Sequence, residues 1–358
     1  MKIIGGYFPL IKTNKEVNFL EGLCPKEGGL QFLMSGRCAN YLAIQDIART
    51  DEKKVAYVPL YTCETVVAPF VKAGYRLRFY DFQKDMTPVF SEDALSEISL
   101  ISICGYYGFS RYDRSFVERC KKKGITVLQD TTHSIFSADG INPNCDYVVG
   151  SLRKWMGVPA GGFAIKTRGK FEVSPAPIHA EHIRMRTEGL KELTELSEIC
   201  GGAIEEARYE AAGKELWDAE LLLRKIFDAQ ESDALSLSLI HHFDYEALKK
   251  KRRENYAYLL SHAPESQRYE LVFPKLDEAT VPSHFTLYAD DQAAFKAFMN
   301  TRGIHATTYW PVGPEVQLSG HPEAAYIYAH VISLPCDQRY GTEDMQRICD
   351  ALKEYSEG

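Results

Sequence analysis

An acid and an amine follow two apolar runs near the middle of the chain. The first run, 126–128, leads to Asp130, and His133 comes three residues later. The second run, 147–149, ends in Gly-Ser, and Lys154 comes just after it. In an α/β protein, functional side chains gather where strands end at one edge of the sheet. We therefore expect the carboxylate and the amine to serve one chemical site.

An acid paired with an amine is what a pyridoxal phosphate (PLP) site requires. The amine forms a Schiff base with the aldehyde of the cofactor, and the acid keeps the pyridine nitrogen protonated so that the ring can accept electrons. Taken separately, Asp130 is equally explained as a helix cap or surface residue, and Lys154 beside Arg153 as an exposed pair. His133 alone is equally explained as a core histidine. The interpretation therefore depends on finding these residues in order with other motifs.

A Ser-Gly pair, Ser35-Gly36, precedes a segment whose apolar residues have helical spacing. The helix is predicted to start near Arg37, and its apolar positions are Ala39, Leu42, Ala43, Ile44 and Ile47. Unpaired backbone N–H groups and the positive end of the helix dipole bind phosphate at such a turn. Serine is also a common N-cap, so an ordinary helix start is the alternative.

Strands and helices alternate through the first half of the chain. Strands are predicted at 55–60, 75–82 and 125–130, and helices at 64–72 and 113–123, with Gly124 as a C-cap. This alternation predicts an α/β fold with a doubly wound, mostly parallel sheet. We expect an N-terminal arm at 1–30 with one short helix, a large domain at 31–235 and a smaller C-terminal α+β domain at 236–358.

The later part of the chain has a different pattern. Helices are predicted within 187–231, at 245–261, at 291–302 and at 342–354, with short strands at 269–273, 284–287 and 331–334. Five consecutive cations at 249–253 are expected to form a solvated helix face rather than a nucleic-acid contact.

The composition is that of an ordinary globular protein and restricts the possible partners. Of 358 residues, 45% are hydrophobic and 25% are charged, and the net charge of −7 gives no nucleic-acid footprint. We expect neither a membrane span nor a signal peptide. Nine cysteines without CxxC spacing argue against a zinc site or a disulfide framework, so we predict no metal and a cytoplasmic location.

Four motifs together resemble the fold type I PLP enzymes, most closely the DegT-like sugar aminotransferases. They are SGRCA (35–39), VPLYTCET (58–65), QDTTHS (129–134) and SLRKWMGVPAGG (151–162). The resemblance covers nearly the whole chain and depends on the order of the set rather than on any one motif. It implies PLP as cofactor and a homodimer with the cofactor at its interface.

The resemblance also implies roles for individual residues. Lys154 would carry the internal aldimine and shuttle protons, Asp130 would pair with the pyridinium nitrogen, and His133 would lie near the ring hydroxyl or the ring face. The phosphate would be bound at the turn opened by Ser35, with ligands from Gly36, Arg37, Cys38 and Ser151.

The chain departs from the family pattern at two positions of the site. Arg37 replaces the usual small threonine, so the phosphate pocket is more cationic or Arg37 points toward a substrate acid. Cys63 stands where an aromatic residue commonly stacks on the cofactor, so Tyr61 or another ring would have to replace it.

Three aromatic residues, Tyr107, Tyr309 and Trp310, are candidates for the substrate side of the site. Packing at a domain interface explains them equally well.

The resemblance implies an aminotransferase that moves an amino group from a donor such as glutamate to a keto group of a nucleotide-linked sugar. Another PLP activity (lyase, decarboxylase, aldolase or sugar dehydratase) is one alternative, because the pocket decides what becomes of the carbanion. The family's dehydratases have histidine in place of the lysine, so Lys154 favours amine transfer. A non-catalytic member that binds cofactor or sugar is a further alternative.

Overall fold

The structure is a computed structural model that describes residues 3–12, 16–197 and 203–358. Two compact units are formed by non-contiguous parts of the chain. The first unit consists of Met1–Gly6, Lys53–Cys145 and Glu246–Gly358, and the second of Tyr7–Glu52 and Asp146–Tyr245. The predicted boundaries of the arm, large domain and small domain stay a prediction.

The larger sheet has eight strands. They are β1 (Gly29–Leu33), β2 (Val55–Pro59), β3 (Arg76–Phe82), β4 (Pro88–Val89), β5 (Leu100–Cys104), β6 (Thr126–Asp130), β7 (Tyr147–Ser151) and β8 (Gly162–Lys166). Their order is β1-β8-β7-β6-β5-β2-β3-β4. Strand β2 pairs in parallel with β3 and β5, and β5 with β6. Antiparallel pairs are β1 with β8, β7 with β8, and β3 with β4.

A smaller antiparallel sheet lies in the first unit. Its order is β11 (Val331–Leu334), β10 (Phe285–Ala289) and β9 (Tyr269–Leu271). Strands β2 and β10 are buried at every position, as strands covered on both faces are expected to be. The predicted fold class, a large mostly parallel sheet with a smaller C-terminal α+β part, is confirmed.

Twelve helices are assigned in the described part of the chain. They are α1 (Phe19–Leu23), α2 (Gly36–Ala48), α3 (Glu64–Lys72), α4 (Ala94–Glu97), α5 (Arg114–Lys122), α6 (Ala180–Ser197), α7 (Ala203–Ile226), α8 (Ala234–His241), α9 (Tyr245–His262), α10 (Gln292–Thr301), α11 (Pro322–His330) and α12 (Thr342–Glu357). Helix α5 is capped by the Asp113 side chain and is followed by Gly124 at a φ of +73°, as the sequence predicted.

Helices α6 and α7 pack closely in the second unit. A Cβ on Gly189 of α6 would lie 2.8 Å from Cγ of Leu216 on α7, so glycine permits the close approach of the two helices. Leu190, Leu193 and Ala212 complete a buried apolar cluster around Leu216. Two or more helices were predicted within 187–231, and the 198–202 part of that range lies outside the described residues.

The predicted arm contains the short helix α1, as expected, and its residues 1–2 and 13–15 lie outside the described part.

The prediction for the basic run 249–253 is wrong at one residue. Arg252 of α9 is fully buried and donates hydrogen bonds to the carbonyl oxygen of Ser283 at 2.8 Å and to Oε1 of Gln338 at 2.8 Å. The helix geometry turns position 252 toward the core even though the residue is charged. A buried guanidinium is tolerated there because its N–H groups are hydrogen-bonded.

Candidate functional site

The Ser35 turn and the end of β7 lie together in the second unit. Ser35 is buried, has an extended backbone and caps α2 by accepting a hydrogen bond from the Cys38 N–H at 3.2 Å. A Cβ on Gly36 would lie 3.0 Å from Cβ of Ser151, the last residue of β7. The structure therefore brings the predicted phosphate turn against the predicted serine ligand.

Glycine at position 162 makes this approach possible. A Cβ on Gly162 would overlap the carbonyl group of Ser35, so no larger residue fits where β8 passes the turn. At this end of α2 the Cys38 N–H donates to Oγ of Ser35 and the Ala39 N–H donates to its carbonyl at 2.9 Å, and the helix dipole places a partial positive charge here. Phosphate binding at this turn stays a prediction.

The two residues that follow Gly36 are both buried and differ in role. The guanidinium of Arg37 lies over the ring of Phe227, with Cζ 5.0 Å from the ring centroid. The Cys38 thiol donates a hydrogen bond to Oε1 of Gln230 at 3.2 Å, and burial raises its pKa. The Cys38 Sγ also accepts a hydrogen bond from the Ser35 hydroxyl at 3.1 Å, so its side chain helps to fix the turn.

Lys154 ends a 3-10 turn that follows β7 directly, and it is exposed. The Leu152 N–H donates to the Gly161 carbonyl at 2.7 Å, which closes the loop that carries the lysine. The Ile11 N–H donates to the Gly157 carbonyl at 3.0 Å, so the opening segment holds the same loop.

Asp130 ends β6 in the first unit and is partly exposed. Its Oδ1 accepts a hydrogen bond from the Thr132 N–H at 2.8 Å, which fixes the side chain at the strand end. Parallel pairing places Asp130 opposite Cys104 of β5, and burial raises the pKa of the Cys104 thiol to about 12.

His133 is buried in an aromatic cluster of the first unit. Its ring centroid lies 5.3 Å from that of Tyr107, 5.8 Å from that of Tyr309 and 5.2 Å from that of Trp310. The structure thus brings together the three predicted substrate-side residues and His133. Tyr107 has a φ of +55°, and strain of this kind is often found at functional sites.

His284 belongs to the same cluster and was not predicted. The Tyr309 hydroxyl and Nε2 of His284 are 2.6 Å apart, and Nδ1 of His284 is 3.0 Å from Oγ of Ser283. Burial raises the pKa of Tyr309 well above its usual range, so the phenol stays neutral. Because His284 lies far from the four motifs in sequence, only its spatial contact with Tyr309 identifies it.

Cys63 and Tyr61 lie at the start of α3. Cys63 occupies the N-cap position, is half-buried and accepts a hydrogen bond at Sγ from the Thr65 hydroxyl at 3.1 Å. Tyr61 is fully buried, and its hydroxyl lies 3.1 Å from that of Tyr107. Enclosed in this way, Tyr61 presents no free face for a further ring, whereas Trp310 remains partly exposed.

Metal chemistry gains no support from the part of the chain that the structure describes. No group of three or more His, Cys, Asp or Glu side chains there could hold a metal ion. Eight of the nine cysteines are described and none forms a disulfide, while Cys200 lies outside the described residues. Among the described helices, none has the length and apolar character to cross a membrane.

Comparison with known proteins gives a structural likeness and no sequence match. No family model and no curated protein matches the chain. PseC of Helicobacter pylori, an aminotransferase involved in the biosynthesis of pseudoaminic acid, is 15% identical over 99% of this chain and 100% of its own, with a TM-score of 0.66.

Two further solved structures match over nearly the full length. DesV of S. venezuelae, solved with a ketimine intermediate, is 16% identical over 96% of this chain and 88% of its own, with a TM-score of 0.67. Spr1654 of Streptococcus pneumoniae, solved in its PMP form, is 14% identical over 99% of this chain and 98% of its own, with a TM-score of 0.66. The chain therefore has the fold of the fold type I aminotransferases.

Proposed function

We propose that this protein is a PLP-dependent aminotransferase that moves an amino group from a donor such as glutamate to a keto group of a nucleotide-linked sugar. We further propose that it works as a homodimer in the cytoplasm. The observation that carries the proposal is a fold shared over the full chain with solved aminotransferases, combined with a lysine and an acid at two strand ends.

The Ser35 turn fits the phosphate of the cofactor. Gly36 and Gly162 leave no Cβ where the turn meets Ser151 and β8, and the positive end of the α2 dipole at this place favours an anion. Ser151, whose Cβ lies beside this turn, would add a hydrogen bond from its hydroxyl. Spr1654, which has the same fold, has been solved in PLP and PMP forms.

The residues would divide the work as follows. When bound, PLP supplies a ring that accepts electrons from the substrate carbon. Lys154 would bind the cofactor and, once released by the incoming amine, take the proton from the substrate Cα. Asp130, already held by the Thr132 N–H, would keep the ring nitrogen protonated. His133, buried among aromatic rings, would orient the ring of the cofactor.

Attachment of the cofactor to Lys154 is the first test. Protein incubated with PLP and then reduced with borohydride should carry the cofactor mass on the peptide that contains Lys154. Lys154→Ala should lose this label and the visible absorption of lysine-bound PLP. Lys250→Ala is the matched control, because the Lys250 side chain is 80% exposed on α9. Labelling of Lys154→Ala equal to that of the native protein would overturn the proposal.

The second test determines which type of reaction the PLP-loaded protein catalyses. PLP-loaded protein mixed with glutamate should release 2-oxoglutarate and lose its visible band, and a panel of nucleotide-linked keto sugars should then restore the band. Release of carbon dioxide or of a cleaved fragment instead would favour a decarboxylase, lyase or aldolase. Cofactor binding without any turnover of donors would favour a non-catalytic member.

A further inference from the structure

The buried face of helix α6 changes from apolar to cationic along its length. Leu190 and Leu193 pack in the cluster shared with α7, but the same buried side continues toward the N-terminus as Arg186 and His182. These two residues are four apart and so lie on one face of the helix. A helix in an ordinary core would carry apolar residues at both positions.

Two buried guanidinium groups share a single carboxylate oxygen at this place. Arg186 donates to Oε1 of Glu220 on α7 at 2.9 Å, and Arg153, the neighbour of Lys154, pairs with the same Oε1. The Arg186 Nε also donates to the Pro159 carbonyl at 3.0 Å. The side chains of Arg153 and Arg186 are only 11% and 5% exposed.

His182 provides a second and independent observation. Its side chain is fully buried, and neither ring nitrogen has a hydrogen-bond partner in the described part of the chain. An imidazole always has at least one N–H to donate, so burying it without a partner is unfavourable. The pKa of His182 is lowered to about 2. Burial is the main cause, and the charges of Arg153, Arg186 and His179 add to it.

The charges at this place do not balance. Burial lowers the pKa of Arg153 to about 10, and the positive charge of Arg37 makes a smaller contribution in the same direction. Two buried guanidinium groups thus share one carboxylate, while the hydroxyl of Tyr7 lies within range of both. Excess buried charge is costly unless a counter-charge enters. A further anion would balance the cations, and it would accept a hydrogen bond from His182.

We propose that Arg153, Arg186 and His182 form a binding site for an oxyanion, a phosphate or a carboxylate group. Both guanidinium groups have N–H donors beyond those used on Glu220 and Pro159, and such forks match the oxygens of these anions. The imidazole supplies the remaining donor. This site goes beyond the proposed function, which assigns the phosphate of the cofactor to the Ser35 turn.

The test is a calorimetric titration of the cofactor-free full chain with inorganic phosphate, and separately with acetate, at fixed ionic strength in chloride. Arg186→Met and His182→Phe should each weaken the binding of the preferred anion at least about tenfold, the effect of one charge-assisted hydrogen bond. Arg184→Met, at an arginine of the same helix whose side chain is 49% exposed, should change it less than about threefold. Tighter binding of phosphate or of acetate identifies which group the site prefers.

Three results would overturn the proposal. One is that neither anion binds the native protein. Another is that Ser151→Ala abolishes binding while Arg186→Met leaves it intact, which would place the anion at the Ser35 turn. The third is that saturation with PLP abolishes phosphate binding. Failure of PLP to bind at all would contradict the proposed function and leave the titration of the cofactor-free chain valid.

A spectroscopic readout does not depend on the folding of the arginine variant. Histidine side-chain NMR of the native protein should show one resonance that moves on anion addition and is missing in His182→Phe. Arg153, Arg186 and His179 are the charged or titratable groups that act on His182, and Glu220 pairs with both arginines. Because the anion offsets the guanidinium charges, its binding should be accompanied by proton uptake at His182 below neutral pH. If the His182 resonance does not move at a saturating concentration of the anion, the proposed site is contradicted.

Discussion

At the scale of single residues, two glycines determine how closely the Ser35 turn packs against its strands. A Cβ at 162 would overlap the Ser35 carbonyl, and a Cβ at 36 would lie 3.0 Å from Cβ of Ser151. Neither glycine has a positive φ, so their role is space rather than backbone freedom. The turn exists in this form because no side chain intervenes.

Replacing these glycines should test that role. Gly162→Ala should lower the free energy of unfolding by about 1–3 kcal/mol, as overpacking does, because the Ser35 carbonyl cannot move without disturbing the α2 cap. Gly36→Ala should cost less, since a contact of 3.0 Å is relieved by a small shift. Urea denaturation measures both. Equal stability of Gly162→Ala and the native protein would contradict the packing described.

The variant Asp130→Asn should remove the negative charge of the side chain while keeping its hydrogen-bonded position. The asparagine oxygen can still accept from the Thr132 N–H, so stability should change little. Without the carboxylate, the ring nitrogen of the cofactor loses its proton, and amine transfer should slow by about a hundredfold or more, in the range of general acid–base effects. Single-turnover reaction with glutamate checks this. A rate within about threefold of native would remove Asp130 from the catalytic group.

His182 should make stability depend on pH in the absence of bound anions. Its folded pKa of about 2 lies below the unfolded value near 6.5, so between these values the unfolded chain binds a proton that the folded chain does not. Stability is therefore full above about pH 6.5 and falls as the pH drops, by about 2 kcal/mol from this group between pH 7 and 5.

The variant His182→Phe removes the titrating group and should show a shallower loss over the same range. Urea denaturation of both proteins in phosphate-free buffer at pH 7 and pH 5 gives the comparison. Identical pH dependence for the two proteins would mean that His182 is solvated or hydrogen-bonded in solution.

The residues of the candidate site were predictable to different degrees. Ser35, Ser151 and Lys154 follow strand ends or open a helix, so local patterns identify them, and the structure brings Ser35 and Ser151 together. Asp130 and His133 are identified in the same way. His284 and the cluster of Arg153, Arg186 and His182 were not predicted, because these residues meet only through tertiary packing.

At the scale of elements, helices α6 and α7 provide a matched pair of glycines. A Cβ on Gly213 of α7 would have nothing within 4 Å, whereas one on Gly189 of α6 would meet Leu216. Gly213→Ala should therefore stabilise the protein by about 0.5–1 kcal/mol through helix propensity alone. Gly189→Ala gains the same propensity but should be destabilising by about 1–3 kcal/mol through overpacking.

Thermal and urea unfolding of these two variants give opposite signs if the α6–α7 packing is right. Stabilisation by both would show that the two helices stand farther apart than described. Because each change adds one methyl group to a helical glycine, the comparison cancels the propensity contribution.

Strong local signals explain which elements were predicted well. Helix α3 has the predicted bounds, and Gly74 follows its end at a φ of +81°. Helices α8 and α11 were not predicted: they are eight and nine residues long, and their sequences, ALSLSLIH and PEAAYIYAH, lack a clear polar face. Arg252 shows the converse limit, because residue type alone did not reveal that its position faces the core.

At the scale of the whole molecule, the chain passes between its two units four times. Each unit therefore consists of segments that are distant in sequence, and no single point in the chain divides the two units. Alternating strand and helix signals predicted the large sheet, but no local signal marks the long-range returns. The Ile4–Ile304 bridge, which joins the start of the first unit to its C-terminal segment, is one such return.

The proposed homodimer is a prediction at this scale. Light scattering of the PLP-loaded protein should give twice the chain mass of 40.5 kDa. Trp217 of α7 is 49% exposed, and burial of such a large apolar side chain would favour association. Its fluorescence should be less quenched by iodide in the dimer than in dilute monomer. A monomeric mass at working concentration would contradict the prediction.

The carbonyl of Pro9 lies against Gly157, and the Ile11 N–H donates to the Gly157 carbonyl. The N-terminal segment that contains Pro9 and Ile11 therefore holds the loop that carries Lys154 in place. In a shortened protein that begins after Ile11, the Gly157 carbonyl would lose this hydrogen bond and the loop would be more mobile. Weak coenzyme retention in such a protein would then report a lost anchor rather than a wrong choice of coenzyme. Purification tags are accordingly better placed at the opposite terminus.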